Sequence, residues 1–520
     1  MTITIRAAAP TRAPAPLTSP TRPSTAAERG AEPAAAPRGR AATSVSARQR
    51  IGLAPAVALY TGALLGPGVL VLPGIAAAQA GPASVLAWAA LVVLGIPVAA
   101  TFTALAVRYP SSGGIAATAE RAFGPDARTI VGWWFYAAVP FAAAAAALLG
   151  GQYVAAALGA GSGVAHVVTA AILALVIAAN TAGVQVSGRV QLALIGILLT
   201  LLAVGLATAA GHLHPVNFTP FNPHGYAAVA RATAVLFVGV AGWEACATLT
   251  DAVHRPRRTL PRVTAATLVV IGTVYLGLAV ATIGTLGPAA AQTGVPLYAV
   301  VHTALGPATP PVVAAIALLL TVGAANTYLA GAARSGATLA AAGDLPAWLA
   351  HQPRGIARRS LAVQAAAAVA MTAAAMHWHI EPGHLMRLVT VLLAAVALAG
   401  MTAGALLLPT GWHTAAALTG TAVTAAVLGT AGPNLLIPVT IAGAALLWRA
   451  AGHQPAPAPL AATSAPSLTV RRPRMSLPTA VPRTAAGSTV TRPRQRPDAP
   501  APVRRKRRRR RRKRAARQRR

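Results

Sequence analysis

Leu65-Gly66-Pro67-Gly68-Val69 lies near the middle of an apolar run that starts at about residue 53 and ends at about residue 79. A proline has no N–H to donate, and a glycine on each side costs further helix propensity, so a helix through this run is expected to break here. The run is otherwise long enough to cross a hydrocarbon core, which takes roughly 20 helical residues for about 30 Å. A helix interrupted at mid-membrane leaves backbone N–H and C=O groups without partners, and such breaks are found where a transporter holds its substrate. Glycine-mediated helix packing is the plainer reading of the same residues.

The rest of the chain decides between them. Of 520 residues, 55% are hydrophobic and only 10% charged. Further apolar runs fall near 83–107, 130–157, 164–183, 190–211, 228–250, 263–287, 309–342, 361–377, 384–408, 412–430 and 434–450. Read by hydropathy they make about twelve membrane helices. A single soluble core cannot bury so many. The sixth run carries Gly239 and Gly242, then Glu244 well inside it. Breaks at matching positions, helices one and six, fit two inverted five-helix repeats. The fold class expected is all-α and polytopic.

The formal charge of +35 is not spread over this domain. Between Ile51 and Ala450 there is no lysine, and the acids are Glu120, Asp126, Glu244, Asp251, Asp344 and Glu381. Residues 1–50 read as a disordered cytoplasmic tail without the apolar segment and cleavage site of a secretory signal, and the first helix would act as an uncleaved anchor. Residues 451–520 turn to Pro, Ala, Ser and Thr and end in the polybasic Arg504–Arg520, a composition that cannot bury a core. That run suits an anionic inner-membrane surface; no specific nucleic-acid partner is expected, since folded RNA-binding motifs with interleaved aromatics are absent. With the N-terminus inside, the inner loops hold Arg108, Arg121, Arg128, Arg189, Arg255, Arg257, Arg258, Arg262, Arg354, Arg358 and Arg359. The outer loops near 80, 160 and 290 hold none, and Arg231 and Arg387 are the two that sit awkwardly near outer helix ends. This bias puts both termini in the cytoplasm of a cell-membrane protein.

These residues resemble the amino acid–polyamine–organocation permeases, in particular the bacterial methionine and branched-chain amino acid exporters. The likeness runs over residues 51–450. It is carried by Leu65–Val69 followed by Pro73, by Arg108-Tyr109-Pro110-Ser111-Ser112-Gly113-Gly114, by Val240-Ala241-Gly242-Trp243-Glu244 and by Arg255-Pro256-Arg257-Arg258-Thr259-Leu260-Pro261-Arg262. Two positions depart from the family pattern. Pro67 stands where Ser or Thr is usual, and Val240 with Ala241 where an aromatic usually precedes the glycine. The resemblance implies amino acid transport, with the first and sixth helices forming the site.

An amino acid brings an ammonium and a carboxylate into a low-dielectric site, and both need partners. Amides and the positive helix end at Gly66, Gly68 and Val69 suit the carboxylate. Carbonyls around Phe237, Val238, Gly239 and Val240, with Gly242 beside them, suit the ammonium. Such a site reads the part common to every amino acid, while Ala, Val and Leu walls favour small or aliphatic neutral side chains. Glu244, an acid inside a span, is a candidate for proton coupling or for holding the sixth break in shape; a permanently protonated structural acid is the alternative. Trp243 is a gating candidate beside it. Asn326 on the eighth helix either lines the path or ties helices together. His377, His379, Glu381 and His384 read as an interfacial polar cap rather than a metal site. Cys246, the lone cysteine, reads as packing. No cofactor is implied, no P-loop is present, and no catalytic cluster suggests an enzyme. Export is expected over import or exchange because of the exporter likeness. A sensor or scaffold with a basic effector tail is the reading of another class.

Overall fold

The computed structural model describes residues 52–109, 114–183, 188–240, 242–243, 253, 255–352 and 356–451. The chain divides into Met1–Pro459, which holds all of these, and Leu460–Arg520. Among the described residues fifteen α-helices follow in order: α1 (Leu53–Leu64), α2 (Gly68–Ala80), α3 (Ser84–Arg108), α4 (Gly114–Phe123), α5 (Pro125–Ala157), α6 (Ser162–Thr181), α7 (Gly188–Ala210), α8 (Gly225–Leu236), α9 (Pro256–Leu286), α10 (Pro296–Leu305), α11 (Thr309–Ala341), α12 (Arg358–His377), α13 (Pro382–Leu407), α14 (Trp412–Gly429) and α15 (Leu436–Ala450). By length and composition, nine helical stretches among the described residues are able to cross a membrane, with two shorter apolar ones at Leu53–Leu64 and Gly225–Val240. The protein is an all-α polytopic membrane protein.

Helix boundaries fall within a few residues of the apolar runs. Two helices lie outside them. α4 and α10 are ten residues each, too short to cross, and a window of membrane length averages such helices away.

The first break is where the sequence puts it. The last helical bond runs from Leu65 N–H to the Thr61 carbonyl (2.7 Å), Leu65 then leaves helical geometry with ψ 75°, and Gly66 N–H donates to the Leu64 carbonyl across only two residues (2.8 Å). The helix resumes at Gly68, with Leu70 N–H donating to the Pro67 carbonyl (3.0 Å). The halves part company: α1 packs against α7 and α9, whereas α2 packs against α8 and the helical turn Gly287–Ala291.

Packing falls into two main bodies of core. The larger joins α1, α2, α3 and α9 through Tyr60, Leu64, Leu70, Trp88, Leu91 and Tyr275, all buried. The second joins α5, α6, α11 and α12, and is largely alanine, including Ala143, Ala146, Ala147, Ala325, Ala332 and Ala368. Small side chains let helix backbones approach closely where lipid offers no hydrophobic drive for association. Gly151 shows how closely: a methyl there would overlap the Thr169 hydroxyl and the Ala165 carbonyl.

Candidate functional site

The sixth run breaks as well, by a different route. α8 ends at Leu236 and tightens into a 3-10 turn over Phe237–Val240. Gly242 then takes φ +132°, a conformation open to glycine and strained for other residues. Space demands glycine too. An added Cβ would lie 2.9 Å from the Ala63 carbonyl oxygen and 3.2 Å from a Leu64 methyl. Gly242 therefore lies directly against the last turn of α1, and the two breaks are neighbours.

Around this junction the site residues expected from the sequence come together in part. Gly66 and Gly68 sit at the first break, and Val69 is buried just beyond it. Val238 reaches toward Gly68, where a Cβ would be 4.0 Å from one of its methyls. Phe237, Gly239 and Val240 are buried in the turn. Trp243 is buried, its ring edge-on to Tyr60 on α1 at 6.2 Å. Glu244, Ala241 and Cys246 lie outside the described residues. So do Pro110–Gly113, Asp251 and Arg354.

Asn326 lies elsewhere along α11, where Asn180 of α6 donates an amide N–H to its side-chain oxygen (2.8 Å) and a second bond to the Val176 carbonyl (2.9 Å). That bond ties α11 to α6.

Three tyrosines belong to this region that sequence reasoning did not single out. Tyr328 on α11 sets its hydroxyl over the first break, 3.0 Å from where a Gly66 Cβ would stand. Tyr275 on α9 places its hydroxyl 2.8 Å from the Gly239 carbonyl and 3.2 Å from the Leu64 carbonyl, donating to both. Tyr153 on α5 donates to the Leu70 carbonyl of α2 and accepts the Leu297 N–H of α10 (3.2 Å). Membrane tyrosines concentrate at interfaces, where the hydroxyl is wet. A tyrosine deep in an apolar run is the available signal, because its hydroxyl must find a protein partner. Thr61, on the last turn of α1, is buried with no hydrogen-bond partner for its hydroxyl among the described residues.

Among the described residues, the polar content of the junction is thus backbone and neutral hydroxyl. Its walls are apolar: Leu64, Leu91, Val240, Trp243, Ile271 and Tyr275 line a crevice between α1, α3, α9 and the turn. Charge collects elsewhere, at the Arg-bearing end of the bundle. Asp344, in the loop after α11, is wholly buried between Arg128 of α5 (2.7 Å) and Arg449 of α15 (3.4 Å). Thr129 donates its hydroxyl to the same carboxylate (2.7 Å), and Trp133 its indole N–H to the Asp344 carbonyl (2.8 Å). Arg128 also pairs with Glu120 (3.0 Å) and Arg449 with Asp126 (2.6 Å).

Comparison with known proteins points the same way. A family model described as amino acid permease matches residues 51–469. The chain is 28% identical to an uncharacterized amino acid permease, YecA, of Bacillus subtilis (strain 168), over 56% of this chain and 68% of that one. It is 31% identical to the L-methionine/branched-chain amino acid exporter YjeH of Escherichia coli (strain K12), over 45% of this chain and 56% of that one. It is 24% identical to the branched-chain amino acid permease BcaP of Bacillus subtilis (strain 168), over 44% and 54%. The matched regions span between about half and two thirds of these relatives' lengths.

Proposed function

The chain belongs to the amino acid permease family, and from that premise we propose that it is a secondary transporter of neutral amino acids with aliphatic side chains, working as a proton-coupled exporter. The observation that carries this reading is the contact of the two breaks, Gly242 against Ala63 and Leu64. Two helix interruptions that touch inside an apolar bundle bring backbone N–H and C=O groups to one place with no side-chain charge among the described residues. A zwitterion needs donors at one end and acceptors at the other, and unwound backbone supplies both. In the proposed site the carboxylate meets Gly66, Gly68 and Val69, and the ammonium meets carbonyls of the Phe237–Val240 turn.

Aliphatic preference is supported by the walls and by the names of two relatives, an exporter of methionine and branched-chain amino acids and a branched-chain permease. The export direction rests on the first of these. In this reading the chain crosses the cell membrane about twelve times in two inverted halves, with both termini cytoplasmic. Glu244 carries the coupling proton, with Trp243 beside it as part of the gate. Asn326 acts on the pathway through its contact with α6. Arg504–Arg520 lies on the anionic lipid surface.

The test is movement of labelled leucine and methionine in proteoliposomes, with and without a pH gradient. The proposal expects gradient-driven movement that Glu244→Gln uncouples while counterflow persists. Counterflow in the unaltered protein with no effect of the gradient would remove proton coupling and leave an exchanger. Transport surviving deletion of residues 453–520 would tell against a sensor whose output is the basic tail.

A further inference from the structure

The Tyr275 hydroxyl hydrogen-bonds to both breaks. Its phenol is buried, with 2% of the residue exposed, and its ring leans on Trp88 of α3 at 4.9 Å. The two acceptors differ. The Leu64 carbonyl already receives the Gly66 N–H at 2.8 Å, so the tyrosine fills its second lone pair. The Gly239 carbonyl, in the 3-10 turn, receives the shorter tyrosine bond. Gly239 has no side chain to keep the phenol away: a Cβ there would stand 3.2 Å from the hydroxyl and 3.4 Å from a Leu91 methyl.

A phenol carries a single proton. Two carbonyls, one at each break, therefore share one phenol proton, and any movement that separates α1 from the turn must end one of the two bonds. A lost bond to a buried carbonyl is costly in a membrane interior, where no bulk water replaces it. The tyrosine bond occupies one lone pair of the Gly239 carbonyl and fixes where that carbonyl stands in the turn.

We propose that Tyr275 is a positioning residue for the binding site: its hydroxyl clasps the first and sixth helix breaks to α9, setting the spacing of the carbonyls offered to a substrate ammonium. The ligand half of this statement rests on the transport reading above, whereas the clasp itself is a property of the protein alone.

Tyr275→Phe keeps the ring on Trp88 and removes only the hydroxyl. Hydrogen exchange in detergent, without substrate, reads the clasp. Peptides from residues 58–70 and 234–240 are expected to exchange faster together, by about tenfold, the effect of one lost buried hydrogen bond. Residues 142–150 of α5 are expected to stay unchanged. Trp88→Phe, which alters the packing and keeps the hydroxyl, should move neither break peptide by more than about twofold. Gly239→Ala, which pushes the hydroxyl off without deleting it, should reproduce the faster exchange of 58–70. In leucine transport, Tyr275→Phe should raise KM about tenfold with turnover nearly kept, the pattern of lost uniform binding. Faster exchange in only one break peptide, or in neither, overturns the clasp. Faster exchange in both with unchanged KM overturns the positioning role. If the unaltered protein moves no amino acid at all, the transport reading fails while the exchange result still decides the clasp.

Discussion

Asp344 and Tyr275 each tie three parts of the bundle together from a buried position, yet they use opposite chemistry. Asp344 joins α5, α15 and the loop after α11 through two arginines and a threonine. Tyr275 joins α9, α1 and the turn after α8 through one neutral hydroxyl. A wholly buried carboxylate loses part of its compensation when either guanidinium departs, which holds the elements it joins more firmly than a neutral bond does. A neutral hydroxyl on a buried carbonyl is worth about 1 kcal/mol, well below a buried ion pair, and is readily exchanged. In the transport reading, Tyr275 holds elements that move apart and Asp344 holds elements that do not.

The comparison breaks most visibly at the charged end. Asp344→Ala leaves Arg128 to Glu120 and Arg449 to Asp126, both more exposed acids, and removes every bond made to the one buried carboxylate, for about 3–5 kcal/mol. The check is a large fall in monodisperse protein on size exclusion and in thermal midpoint; a stable, active Asp344→Ala protein would remove the distinction. Next is Gly242→Ala, which forces a side chain into φ +132° and toward the Ala63 carbonyl, for about 1–3 kcal/mol. It should abolish leucine counterflow at a folded yield above that of Asp344→Ala. Tyr153→Phe removes the bond from α5 to the Leu70 carbonyl and the acceptor for Leu297 N–H, worth about 1 kcal/mol. It should show as faster exchange of α10 with little loss of thermal stability. The smallest effect is expected at Asn180 and Asn326, where a double-mutant cycle to alanine should return a coupling near 0.6 kcal/mol. A coupling several times larger there would place a second fixed joint between α6 and α11.

The breaks were legible because proline and glycine act on their own backbone. Gly66, Pro67 and Gly68 needed no knowledge of neighbours to mark the first, and Gly239 with Gly242 marked the second. The same holds for the long helices, whose apolar length is a local property. The tyrosines were not legible, because a hydroxyl's partner is decided by which helix faces which. Tyr275 lies 211 residues from Leu64 and 36 from Gly239 along the chain. Asp344 and Arg128, 216 residues apart, read in sequence as ordinary loop charges near the ends of two helices. α4 and α10 were lost to averaging.

The transport reading expects the body of α5, α6, α11 and α12 to stay whole while α9 and the breaks shift against it during transport. Spin labels on lipid-facing positions test this most directly, in a Cys246→Ser background: Leu175 of α6 with Val369 of α12 within the alanine-rich body, and Val269 of α9 with Val369 across to the Tyr275 helix. Distances measured by pulsed electron resonance with and without leucine should stay constant for the first pair and shift by several ångströms for the second. A shift in the first pair equal to that in the second, or no shift in either under conditions where leucine is transported, would contradict the account.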